Sequence, residues 1–256
     1  MNFHLPSDRT PGAVARERLL SGRGEPFLHA AWERALMVHY AVDPEVLQPL
    51  VPYALDLRDG QAWVSLVAFT MRGMAPRRGG RWTAWLLQPI ATHEFLNVRT
   101  YVTDGSEPGI FFLQEWLPNR LAVALGRPAF GLPYCLGDLS YNHRHETGTL
   151  FGSVVDAAGA GQFSYTASVT GGFFACVRGS LTEFLMERYS AFTCWQGWRR
   201  RFRIWHPPWP QTTAEVQVTD DSLLRKHCPW YSAASPAGAH YSPGFPEVWM
   251  GRPVTL

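Results

Sequence analysis

The chain has 256 residues, 46% hydrophobic and 17% charged, which allows a sizeable core and excludes long disordered tails. A formal net charge of +2 excludes a global electrostatic attraction to nucleic acid or to an anionic membrane. Four widely spaced cysteines (Cys135, Cys176, Cys194, Cys228) without a CxxC pair exclude a disulfide framework and a cysteine zinc site, and suit reduced thiols in the cytoplasm.

Residues 1–26 are polar and rich in Gly, Pro and Arg. They are expected to form a flexible N-terminal arm before a single domain over 27–256. The arm lacks an apolar h-region and carries Asp8, so it does not read as a signal peptide. No run approaches about 18 apolar residues, so no membrane span is expected. Residues 35–42 (ALMVHYAV) read as a buried strand. Asp43-Pro44 then opens a short helix to Leu50, with Asp at the N-cap and Pro at the first helical position. After the Asp59-Gly60 turn, residues 61–69 read as a strand rich in β-branched and aromatic side chains. Residues 74–82 are a basic, Gly-rich loop without a phosphate-binding GKS/T signature.

His93–Val102 is a further strand, with 110–116 as its hairpin partner and a short helix over 119–126. Strands are expected at 151–156, 162–168, 173–178, 201–206 and 213–218. Ser180-Leu181-Thr182-Glu183 is a capping box for a helix whose apolar face carries Leu181, Phe184, Leu185 and Phe192. Strands outnumber helices and several meet at tight turns. The fold class is therefore α+β, mainly β: an antiparallel β-barrel with a few peripheral helices.

Three stretches resemble acetoacetate decarboxylases. They are Glu33–Tyr40 followed by Asp43 to Pro52, the pair His93-Glu94 before a strand, and Ala122–Arg127 with Ala129–Gly137. A more specific resemblance, over about residues 28–250, is to the YqjF-like family of unknown function (domain of unknown function 2071) in the same superfamily. It rests on Asn97–Val102, Leu132-Pro133-Tyr134, Glu187-Arg188-Tyr189, His206–Pro210 and His240-Tyr241-Ser242. The resemblance implies an acetoacetate decarboxylase-like fold. It places Arg34 and Glu94 on positions that hold a substrate carboxylate and assist chemistry. It places Tyr134 and Cys135 on the lysine pair of the decarboxylases, where one lysine forms a Schiff base with a ketone. A phenol and a thiol cannot form an imine. Lys226, the one lysine of the chain, sits on a polar stretch far from that pair.

Side chains alternate faces along a strand. If Arg34 points inward, so do Leu36, Val38 and Tyr40; if Glu94 does, so do Leu96, Val98 and Thr100. His93, Asn97, Arg99 and Tyr101 then share the opposite face, so Glu94 and Arg99 do not line one interior unless a bulge intervenes. Each polar candidate has two readings. Arg99 is a bidentate clamp for an anion or the ion-pair partner of a carboxylate such as Glu187. Glu94 is a general acid or base in an apolar pocket, or a salt bridge to Arg34. Cys135 is a thiolate nucleophile or a buried thiol acting as a small hydrophobe. Tyr134 donates to a substrate oxygen or is a core tyrosine. His143 and His145 form an HxH pair, but no third metal ligand stands out. His206, before the rigid Pro207-Pro208-Trp209-Pro210, reads as a structural corner. Interleaved Trp195, Trp198, Trp205 and Arg199, Arg200, Arg201, Arg203 suit a cation–π-laced sheet face better than nucleic acid.

The candidate catalytic residues are thus Glu94, Tyr134 and Cys135, and the candidate substrate-binding residues Arg34, Tyr40, Arg99 and Tyr101, with no metal and no cofactor. The expected function is a small-molecule pocket acting on a keto acid or carboxylate-bearing substrate by acid–base chemistry without a Schiff base, in the manner of a lyase or isomerase. The alternative is a binding protein that kept the pocket and lost the chemistry. Expected partners are a small-molecule ligand and, on base rate, a second copy in a homodimer, with neither nucleic acid nor membrane.

Overall fold

A computed structural model describes residues 10–22, 26–79, 85, 87–105 and 107–256. Its strands are β1 (Leu28–Val42), β2 (Ala54–Leu55), β3 (Ala62–Pro76), β4 (His93–Asp104), β5 (Glu107–Leu117), β6 (Tyr134–Arg144), β7 (Thr149–Asp156), β8 (Gln162–Ser168), β9 (Ser190–Trp195), β10 (Trp198–Trp205), β11 (Thr212–Thr213), β12 (Glu215–Asp220), β13 (Ser235–Met250) and β14 (Val254–Thr255). The helices are α1 (Pro11–Ser21), α2 (Pro44–Leu47), α3 (Arg120–Phe130), α4 (Leu181–Met186) and α5 (Ser222–His227).

The strands form one sheet, and the pairing of β5 with β4 closes part of it into a hydrogen-bonded ring. Around the ring run β5, β9, β10, β13, β1, β3 and β4. The mainly β fold expected from the sequence is what forms, antiparallel except at two seams. Both seams lie on one edge of β5. Ile110 and Phe111 pair in parallel with Ala191 and Phe192 of β9, whereas residues 115–117 pair in parallel with residues 134–136 of β6. From β6 a second layer, β6–β7–β8–β12, leaves the ring.

The ring strands β1, β3 and β4 are buried on both faces over much of their length, which explains their near-continuous apolar runs. Leu36, Val38, Leu66 and Val98 face the second layer and meet Leu150, Val154 and Phe163. Met37, Val67, Phe95, Phe202 and Val248 form the other core, with Ala122 of α3 and Leu185 of α4.

Local signals account for the short helices. Asp43 accepts a hydrogen bond from Glu45 N at the start of α2, and Ser180 accepts one from Glu183 N at the start of α4. That helix stops at Met186, so Phe192 belongs to β9 instead. Within the expected arm, residues 11–21 form α1. It is held by fully buried Leu19, by Trp205 Nε1 donating to Gly12 O (3.1 Å), and by Arg16 over the rings of Trp205 and Trp249. Arg200 likewise lies over Trp195. Residues 1–9, and residues 80–82 of the expected basic loop, lie outside the described residues.

The strand expected at 173–178 does not form; one bridge, Phe174 to Gln211, is made there. Phe174 and Val177 are exposed, so no burial rewards a strand. Conversely, β13 contains Ser235, Pro236, Gly238, Ser242, Pro243, Gly244 and Pro246, residues of low strand propensity. Its long pairing with β1 overrides that preference. Among the described residues no helix is long and apolar enough to cross a membrane.

The seam between β5 and β9 depends on Gly109. A Cβ there would stand 2.4 Å from Ser190 O and 2.6 Å from the Phe192 ring. Gly109→Ala is therefore expected to destabilise the protein by about 1–3 kcal/mol in urea unfolding, through forced displacement of the seam.

Candidate functional site

A cavity of about 740 Å³ opens on the ring-strand face that carries Phe69, Phe95 and Phe112. Side chains from β1, β3, β4, β5, β10 and β13 converge on it, and α3 covers it. Asn119 caps the start of α3 by accepting from Ala122 N, and Gly131 ends it in the left-handed region at φ 72°. Ala122, Leu125, Gly126 and Ala129, spaced for one helix face, line the cavity. The wall is dominated by aromatic and aliphatic groups. Trp32, Phe69, Phe95 and Tyr134 form a run of rings with successive centroids 5.4, 5.2 and 5.9 Å apart.

The polar groups of the wall form a row. Asn97 of β4 pairs in register with Glu115 of β5, and Glu115 with Tyr134 of β6. Three adjacent strands thus place an amide, a carboxyl and a phenol side by side, and His93 lies four residues before Asn97 on the same face. Glu115 reaches the cavity because of a bulge. The register of β5 shifts between Phe112, opposite Arg99, and Gln114, opposite Val98. The extra residue, Leu113, puts Phe112 and Glu115 on one face although they are three apart. Tyr134 is held by close packing: a Cβ on Gly126 would stand 2.3 Å from its ring.

Several polar atoms of this wall are buried without a protein partner: both His93 ring nitrogens, Asn97 Oδ1, Glu115 Oε2 and Trp32 Nε1. Each such atom costs roughly 1–3 kcal/mol unless something else satisfies it. Burial also sets the charge states. It lowers the His93 imidazole to about 4. It raises the Glu115 carboxyl well above the usual range, with the Arg99 guanidinium acting in the opposite sense. The Tyr134 phenol is raised by burial and then by Glu115. Burial thus favours the uncharged forms of the imidazole, the carboxyl and the phenol, so the row can offer or take a proton.

Of the residues singled out in the sequence, Tyr134 lines this cavity. Cys135, its neighbour on β6, points the other way: its Sγ accepts from Gln114 Nε2 at 3.5 Å and packs with the core beneath the second layer. Glu94 shares its face of β4 with Leu96 and Val98, near the Tyr141 hydroxyl, and does not line the cavity. Arg34 is exposed, at φ 57° on a bulge of β1 against β3. Its carbonyl meets His143 Nδ1 at 2.7 Å, so Nδ1 carries the proton and Nε2 accepts from the Tyr165 hydroxyl at 2.8 Å. Tyr40 is buried against Trp230 and Tyr231.

Arg99 lies two residues beyond Asn97, behind the row. Its Nη2 donates to Leu185 O at 3.2 Å. Glu187 instead accepts from Trp209 N and the Tyr189 hydroxyl. The Tyr101 hydroxyl also donates to Leu185 O, at 2.8 Å, and ends a buried chain through Ser65 and His39 to His240. His206 is packed between the rings of Tyr189 and Phe245. His143 ends up inside β6 and His145 in the turn after it, bonded to the Tyr241 hydroxyl. Among the described residues no group of three His, Cys, Asp or Glu is arranged to hold a metal ion. Lys226 Nζ is bonded to Asp156 Oδ2 at 2.8 Å, on α5 in the second layer.

Glu115 was not foreseen from the sequence. The signal is a lone acidic residue in the apolar run GIFFLQEWL, but the bulge that turns it inward leaves no local trace.

The family described as DUF2071, an uncharacterized conserved protein, matches residues 29–246. The chain is 27% identical over 208 residues to the uncharacterized protein YqjF of Bacillus subtilis (strain 168), covering 78% of this chain and 81% of YqjF. Its fold is similar to an acetoacetate decarboxylase-like enzyme from Sphingomonas wittichii RW1 (TM-score 0.61, 17% identity, 91% of this chain and 93% of that one). It is also similar to the acetoacetate decarboxylase of Legionella pneumophila (TM-score 0.62, 12% identity, 90% of this chain and 87% of that one). At these identities the two structures establish the fold.

His93 yields a pH test. Its folded value, about 4, lies below the value near 6.5 of an unfolded histidine, so the unfolded state takes the proton first. The stability held above pH 6.5 is lost as pH falls from 6.5 toward 4. His93→Leu is expected to lose about 2 kcal/mol less than the wild-type chain between pH 7.5 and pH 5, compared by urea unfolding.

Proposed function

The chain belongs to the DUF2071 family, and from that premise we propose that it is a small-molecule pocket protein working at the cavity walled by His93, Asn97, Glu115 and Tyr134. The observation that carries this is the row of buried polar atoms without protein partners, set in an otherwise apolar wall. Such a cavity, apolar with a few convergent polar groups, is the usual form of a ligand site. The likeness to proteins named as acetoacetate decarboxylase and decarboxylase-like enzyme supports the same reading.

The chemistry this row favours is acid–base. A neutral Glu115 carboxyl, assisted by the Tyr134 phenol, donates to an oxygen of the bound molecule and takes a proton back from the adjacent carbon or water. An imine route is not supported: the sequence resemblance sets Tyr134 and Cys135 on the lysine pair of the decarboxylases, and Lys226 is engaged with Asp156. Nor is Arg34 placed to hold a substrate carboxylate, since it is exposed on the bulge of β1 and absent from the cavity wall. Binding without turnover is the second reading, favoured by how little of the wall is polar.

Two measurements test this. Deuterium exchange next to the carbonyl of small hydroxyketones, followed by NMR in heavy water, is expected to be catalysed and to slow at least about 100-fold in Glu115→Gln. Equal exchange by both proteins would leave only the binding reading. Borohydride treatment with acetoacetate is expected to leave Lys226 unmodified by mass spectrometry; a labelled Lys226 would reinstate the imine.

A further inference from the structure

We infer that the cavity selects an uncharged, elongated and largely apolar molecule whose one polar head both donates and accepts hydrogen bonds, as a hydroxyl or carboxamide does. This rests on reading the cavity as a small-molecule site. It departs from the keto acid or carboxylate-bearing substrate that the sequence suggests.

The first support is what the wall lacks. Among the described residues the lining holds no lysine, arginine or aspartate, and Glu115 is the one acidic side chain. A carboxylate brought to the row would meet no cation of that lining and would stand beside Glu115, where two carboxyl groups disfavour each other's ionised form. Arg99, two residues beyond Asn97, is not among the lining residues: its Nη2 is bonded to Leu185 O, its Nε is unpaired, and its charge acts on Glu115. An unpaired carboxylate in an apolar cavity is strongly disfavoured, whereas an uncharged head loses little if it is hydrogen-bonded.

The second support is what the wall offers. Asn97 Oδ1 is a free acceptor, and the His93 ring on the same face of β4, both nitrogens unpaired, offers a donor and an acceptor; Glu115 Oε2 is also unpaired. A head that only accepts, such as an ether or ketone, leaves Asn97 Oδ1 unsatisfied. A head that donates and accepts answers both kinds of group.

The third support is shape. The polar row lies against β4, β5 and β6, whereas exposed Leu125, Pro128 and Ala129 of α3 form the rim. Between them the lining is apolar, and about 740 Å³ is within the usual size of a drug-sized ligand's pocket. A chain or ring system fills that space and leaves its head at the row.

The test is isothermal titration at pH 7.5 of three probes matched in length: 1-decanol, decanamide and decanoate. The proteins are the wild-type chain, Asn97→Leu and Ala129→Trp, each checked for fold by circular dichroism. Ala129 is exposed at the rim, so the larger residue narrows the mouth without entering the core. The alcohol and the amide are expected to bind, and decanoate at least 30-fold more weakly. Asn97→Leu is expected to weaken the alcohol about tenfold, and Ala129→Trp to abolish binding of both uncharged probes. If decanoate binds as tightly as decanol and responds to both variants, the cavity remains the site and the uncharged class is wrong. If no probe binds, or binding ignores both variants, the reading of the cavity as the site fails with it.

Discussion

The structure turns on the divided edge of β5. One strand must pair with β4 along its length, with β9 at Ile110 and Phe111, and with β6 over residues 115–117. The first two pairings close the ring; the third starts the second layer. Because β9 and β6 both run parallel to β5, neither can follow it through a tight turn, and each arrives by a long connection. The bulge at Leu113 lies between the two halves and reverses which residues face the cavity. The same irregularity therefore serves the topology and brings Glu115 inward.

From that point the chemistry of the site follows from burial. A carboxyl, a phenol and an imidazole are placed in an apolar wall, and the low polarity favours the uncharged form of each. The nearest cation, Arg99, is tied to a backbone carbonyl that also receives the Tyr101 hydroxyl. The Tyr101–Ser65–His39–His240 chain gives four further polar groups partners of their own. On the cavity wall His93, Asn97, Glu115 and Trp32 keep unpaired atoms, and Arg99 Nε is unpaired beside them. A ligand at the proposed site would complement the atoms of the wall.

Much of the frame was legible in the sequence. Strand alternation on β4 correctly separated Glu94, Leu96 and Val98 from His93, Asn97, Arg99 and Tyr101, because that strand pairs with β3 without interruption. The Asp43 and Ser180 caps were legible because capping is a matter of a few adjacent residues. The parity of β1 held from Leu36 onward and broke at Arg34, where a bulge against β3 turns the arginine out. The polar wall of the cavity was only half legible. Tyr134 was marked by its place in the family pattern, and Asn97 and His93 by parity, but Glu115 was not, since its direction is set by an inserted residue.

What the sequence alone determined was local or repeated: a mainly β chain with buried two-faced strands, the helix caps, the family resemblance, and a Tyr134-Cys135 pair where an amine would be needed for an imine. What only the tertiary structure decided was which of those strands meet, and therefore which polar side chains share a space. Tyr134 and Cys135 are adjacent in sequence yet face different cores, whereas Asn97, Glu115 and Tyr134 are far apart in sequence and form one row. The reason is physical. Facing is set by alternation and is lost at every bulge, and adjacency across strands is set by long-range pairing, which carries no mark in the local sequence.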